Sequence, residues 1–126
     1  MFLQPRRCRV TSPQKAKGSA FERLTLQPFA DAGYDVERTR VGWEDDRGDI
    51  HGITHPHAGN FTIECKNQKT MKLAEWLGEL DREMKANSSE YGAVIHKRKG
   101  ITDPYQQYAT MPVSILVKLL RMAGFQ

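Results

Sequence analysis

The stretch "FTIECKNQK", residues 61–69, limits the fold more than any other part of the chain. Strand side chains alternate with period two, so Phe61, Ile63 and Cys65 share one face and Thr62, Glu64 and Lys66 the other. An apolar face places this strand against a core. The opposite face then carries a carboxylate and an ammonium two residues apart, at the point where the chain leaves the sheet.

The segments around it complete a pattern. "KGSAFERLTLQPFADAGY" spaces Phe21, Leu24, Phe29 and Ala32 near a helical period and stops at Gly33, with a kink or break expected at Pro28, which removes a backbone donor. "YDVERTRV" reads as a first strand. "RGDIHGIT" and "NFTIECKN" flank the turn cluster "HPHAGN" and read as an antiparallel hairpin. From Thr70, a good N-cap, a long helix aligns Met71, Leu73, Leu77, Leu80 and Met84, with Trp76 beside them. "YGAVIHKR" supplies an apolar strand, "QQYATMP" a short further one, and "PVSILVKLLRMAG" a last helix between Pro112 and Gly124.

At 126 residues the chain is long enough to bury a single core. It has no run of about 18 apolar residues and no signal-peptide pattern at its start, which predicts a soluble, intracellular protein. Cys8 and Cys65 form no disulfide framework and are read as reduced.

The net charge is only +4, but the first 21 residues hold Arg6, Arg7, Arg9, Lys15 and Lys17 and no acid. Residues 1–16 read as a basic arm ahead of a single domain over 17–126. "HKRKG" groups Lys97, Arg98 and Lys99, and Lys66, Lys69 and Lys72 form a third cluster. Clustered cations on an otherwise balanced chain point to a polyanion, most often nucleic acid, against the commoner alternative of a solvated charged face.

The hairpin suggests what the strand's charges do. A register that sets Asp49 opposite Glu64 or Lys66 puts all three on one face, whereas a slip of one residue sends Asp49 to the other. Two adjacent carboxylates call for a cation, and oxygen ligands suit Mg²⁺ or Mn²⁺, with the lysine acting on the attacking water or the transition state. The Glu-x-Lys pattern is weak by itself. With eight Glu and nine Lys, chance supplies roughly 0.6 such pairs. A second pair, Glu83 and Lys85, falls in the long helix and is read as ordinary surface charge.

"GDI" at 48–50 followed by "IECK" at 63–66, in this order of elements, resembles the PD-(D/E)XK nuclease superfamily, and "KGSAFERL" is similar to the opening of archaeal-type Holliday junction resolvases. The resemblance implies an α/β restriction-endonuclease-like core: helix, three-stranded antiparallel meander, helix, one or two strands and a C-terminal helix. It implies Glu22 as a helix acid with Arg23 its neighbour, Asp49 and Glu64 as metal ligands beside Glu22, and Lys66 as the catalytic lysine. It also implies a homodimer cutting four-way DNA junctions with Mg²⁺ or Mn²⁺. DNA contacts are assigned to Arg6, Arg7, Arg9, Lys15, Lys17, Ser19, Arg23, Lys69, Lys97, Arg98 and Lys99. Gly48 stands where the signature has proline. Two alternatives stay open: another branched-, single-stranded- or end-processing nuclease, and a non-catalytic nucleic-acid-binding module.

Other residues carry competing readings. His51, His55 and His57 match no standard zinc spacing, although His51 shares a face with Asp49. Trp43 is read as packing rather than stacking on a base. Glu44, Asp45 and Asp46 are read as solvated, with one of them able to replace Glu22 at a metal.

Overall fold

The computed structural model describes residues 13–39 and 48–126. Arg6, Arg7, Cys8, Arg9, Trp43, Glu44, Asp45 and Asp46 lie outside the described residues, as do the ends of the first two expected strands. In chain order the elements are α1 (Pro13–Asp31), β1 (Glu37–Arg38), β2 (Ile50–His51), β3 (Thr54–His55), β4 (Gly59–Lys66), α2 (Leu73–Ala86), β5 (Tyr91–His96), a 3₁₀ turn (Pro104–Gln106), β6 (Tyr108–Thr110) and α3 (Val113–Met122). The sheet runs β1-β2-β4-β5-β6, with β3 also paired to β4.

The strand that carries "FTIECK" is the centre of this sheet. β4 pairs parallel with β5, from Phe61↔Tyr91 to Lys66↔His96, and α2 is the crossover that a parallel pair requires. Thr25 on α1 bonds the Cys65 side chain, whereas the Asn87 amide just past α2 donates to Thr62 Oγ1 at 3.1 Å, so helices cover opposite faces of β4. Thr62 and Ile63, on opposite faces, are both fully buried. Alternation in the sequence therefore marks two different buried environments. Over α2 the core is Trp76, Leu80 and Val94, with Leu73, Leu77 and Met84 packed against it.

Three expectations need correction. α1 begins earlier than "KGSAFERL", at Pro13, so Lys17, Gly18 and Ser19 lie well inside the helix, and proline suits that first position because its missing donor has no partner there anyway. α1 also continues through Pro28 to Asp31. The proline falls in the last turn, where it forfeits one helical bond while burial of Phe21 and Thr25 holds the helix on β4. α2 starts at Leu73, with Lys72 at the N-cap and no side-chain cap, so Thr70 belongs to the preceding loop and Met71 is exposed.

The second expected strand is divided at Gly52. β3 pairs as Thr54↔Asn60 and His55↔Gly59, but β2 pairs as Ile50↔Ile63, which is one residue out of step. That slip is a bulge. Gly52 takes φ +115°, and a Cβ there would lie 2.2 Å from the Asp35 carbonyl oxygen, so only glycine fits. Continuing the turn's register without the bulge would have set Asp49 opposite Cys65 on the wrong face. Among the described residues no helix is long and apolar enough to cross a membrane.

Candidate active site

Asp49 is clamped beside β4 by backbone bonds. Its N–H donates to the Ile63 carbonyl and its Oδ2 accepts from the Cys65 N–H, each at 2.7 Å, while the Thr39 N–H donates to its carbonyl at 3.0 Å. Gly48, immediately before it, has φ +87°, and a Cβ there would lie 2.8 Å from the Ile63 oxygen. Proline could not adopt that φ, which accounts for glycine at the signature position.

Glu64 is 5% exposed next to Asp49. Burial first, then Asp49 and Glu83, push its carboxyl up to about 12. Its Oε1 is buried without a hydrogen-bond partner. Lys66 Nζ is 3.8 Å from Glu64 Oε2 but 2.5 Å from Glu79 Oε2. One ammonium drawn chiefly to Glu79 does not offset the crowding of carboxylates around Glu64. For Lys66 itself, burial pulls the ammonium down, but Glu79, Glu64 and Asp49 outweigh it and hold the pKa above its ordinary value. Lys66 is therefore a fixed cation suited to stabilising negative charge rather than to removing a proton.

Glu22 reaches the same cleft from α1. Burial and then Asp49 raise its pKa, against the pull of Arg38, whose Nε donates to Glu22 Oε1 at 3.0 Å. The cleft has a volume of about 680 Å³, and its walls include Lys17, Gly18, Glu22, Asp49, Glu64 and Lys66. Lys69 lines it as well.

The remaining expected contacts are scattered. Lys15 and Arg23 are exposed on α1 and Ser19 is half-buried, and none of the three lines the cleft. Lys97 turns inward, with Nζ donating to the Arg98 carbonyl at 2.8 Å and to that of Ile101. Arg98 and Lys99 border a neighbouring cleft. His51 Nε2 sits 2.6 Å from Thr39 Oγ1 and does not line the carboxylate cleft. His55 Nδ1 accepts from the His57 and Ala58 N–H groups, closing the hairpin turn. Cys65 is a free thiol that burial pushes well up.

The surface-charge reading of Glu83 is wrong. This residue is 7% exposed and faces Glu64. Glu79, which holds Lys66, and Arg38, which holds Glu22, were not expected either. A signal existed for two of them, since residues 76, 79, 80 and 83 share one helix face, so Glu79 and Glu83 interrupt an apolar stripe.

Among the described residues no three His, Cys, Asp or Glu side chains already form a metal cage. Mg²⁺ does not require one, because it takes one or two carboxylates and completes its shell with water and phosphate oxygens. The oxygen-only pair Asp49 and Glu64, with an orphaned buried Oε1, fits such an ion.

A parallel β4–α2–β5 unit, an antiparallel hairpin bringing an aspartate against it, and Glu-x-Lys at the end of the central strand together define a restriction-endonuclease-like fold of the PD-(D/E)XK nuclease type. The Mrr catalytic domain family, described as a restriction endonuclease, matches residues 13–125, and the chain belongs to that family. Nucleases of this type generally use divalent metals. The match carries the nuclease class and DNA as substrate, not junction resolution. No curated protein matches the chain.

Proposed function

We propose that the protein is a Mg²⁺-dependent endonuclease for branched DNA, resolving four-way junctions as a homodimer. The observation that carries the catalytic part is Glu64: a buried carboxyl with an orphaned oxygen, beside Asp49 and within reach of a fixed ammonium. Asp49 and Glu64 would hold the ion, with Glu22 behind them. When bound, the ion would supply a more acidic water and a counter-charge for the phosphate. Lys66 stabilises the negative charge that grows on the phosphate during attack, and Glu79 keeps its ammonium in place.

The junction reading is supported by the position of "KGSAFERL" on α1, which contributes Lys17, Gly18 and Glu22 to the cleft. The basic arm, residues 1–16, would track phosphates, with its last four residues forming the first turn of α1. For the dimer, α3 buries Ile115 but exposes Val113, Leu116, Val117 and Leu120 by 73, 45, 51 and 41% along one stripe. A second copy placing the same stripe against it would form the core of a self-complementary interface of about 800 Å² per partner. Two symmetric cuts need two such sites.

The test is a gel of four-way junction, splayed and linear duplex DNA. Cutting of the junction with Mg²⁺, abolished by chelator and by Asp49→Asn while binding persists, is expected. Undiminished cutting in excess chelator defeats the metal reading, and binding without any cutting makes the chain a DNA-binding module. The family match favours linear duplex as a second substrate, and preference for it on the same gel would replace the junction reading. In sedimentation at micromolar concentration a dimer is expected, and only the 14.4 kDa species would remove the paired mechanism.

A further inference from the structure

Beside the carboxylate cleft lies a second one of about 290 Å³, where the parallel strands β4 and β5 both end and the chain leaves in loops. Ligands in open α/β sheets sit outside the carboxyl ends of such strands. Its volume is near the lower end for small-ligand pockets, which excludes a duplex and suits one base with its sugar.

Its walls are unusual for a protein–phosphate surface. Trp76, His96 and Tyr108 follow one another with ring centroids 5.6 and 5.8 Å apart, and the Arg98 guanidinium lies 4.7 Å over Tyr108. Tyr108, 52% exposed, is the ring open to the cleft, and His96 and Trp76, 4% and 2% exposed, are buried behind it. Burial lowers the His96 pKa, leaving a neutral ring, and its Nε2 is already 2.8 Å from Thr110 Oγ1. Around the rim stand Lys69, Arg98 and Lys99.

The two clefts are adjacent, with Lys66, Gln68 and Lys69 lining both. A strand whose scissile phosphate lies at Lys66 can therefore place its next nucleotide here. We propose that this cleft takes one unpaired nucleotide flanking the scissile phosphate, with the base against the exposed Tyr108 ring and a phosphate on the cations Lys69, Arg98 and Lys99. The inference rests on the nuclease reading and names the form of DNA that the site accepts. Stacking of this kind tolerates any base, so selection would be for an unpaired nucleotide rather than for a sequence.

The experiment places 5-iododeoxyuridine at single positions around the cut in a four-way junction and irradiates it with the full chain in Ca²⁺. Tyr108→Ala and Tyr108→Phe are assayed for cutting in Mg²⁺. A photo-adduct on Tyr108 from one position next to the cut is expected. Tyr108→Ala should raise KM about tenfold at unchanged kcat, and Tyr108→Phe, which keeps the ring, should restore it. If the wild type cuts but adducts fall elsewhere and Tyr108→Ala keeps its KM, the cleft proposal is overturned and the nuclease reading stands. If the wild type does not cut, that reading fails, and the adduct alone decides: on Tyr108 it supports a nucleotide site, and its absence ends the proposal.

Discussion

The chain contains the same tripeptide pattern twice, Glu64-Cys65-Lys66 on β4 and Glu83-Met84-Lys85 on α2, and the backbone makes opposite things of them. On a strand, residues two apart point the same way, so Glu64 and Lys66 converge to 3.8 Å with side chains only 6 and 14% exposed. On a helix, residues two apart point to nearly opposite sides. Glu83 is therefore driven into the core against Glu64, whereas Lys85 is 77% exposed and pairs with Asp81 at 2.9 Å, one turn back. A motif has chemical meaning only through the period of the element that carries it.

The largest expected difference between the two pairs is catalytic. Lys66→Ala should lower junction cutting by about a hundredfold, roughly 2.7 kcal/mol of transition-state stabilisation, with junction binding retained. Gel assays of binding and single-turnover cutting check this. Equal cutting by the variant and the wild type would reduce Glu64-Cys65-Lys66 to the status of the helical pair.

A smaller effect should appear in stability against pH. In metal-free protein, burial and the neighbouring Asp49 and Glu83 keep the Glu64 proton on well above the ordinary carboxylate range, whereas the unfolded chain releases it near 4.5. The folded state thus binds an extra proton across that window, and stability falls as pH rises through it, by up to about 1.4 kcal/mol per pH unit for one proton. Urea unfolding in chelator between about pH 6 and 8 should show that slope in the wild type and lose it in Glu64→Gln. An unchanged slope in the variant would place the proton elsewhere.

The smallest effect belongs to Lys85→Ala. Losing one exposed ion pair a turn apart should cost about 0.3–0.5 kcal/mol in urea unfolding and leave cutting as it was. A loss of activity there would mean that α2 meets DNA along its outer face.

Local periodicity determined much of this protein from sequence alone: the α1–β4–α2–β5–α3 order, the apolar stripe of α2 and the shared face of Glu64 and Lys66. It could do so because side-chain direction along a helix or strand depends only on neighbouring residues. The starts of helices were less legible, as Thr70 illustrates, because residues 67–70 line the cleft before α2 begins at Leu73. What only the tertiary structure decided was depth and register. Glu79 and Glu83 look like any solvated acids until α2 is laid over the charged face of β4. Asp49 meets Glu64 only because a bulge at Gly52 shifts the hairpin by one residue, and glycine permits the close approach to the Asp35 carbonyl there, a contact between segments that no local pattern encodes.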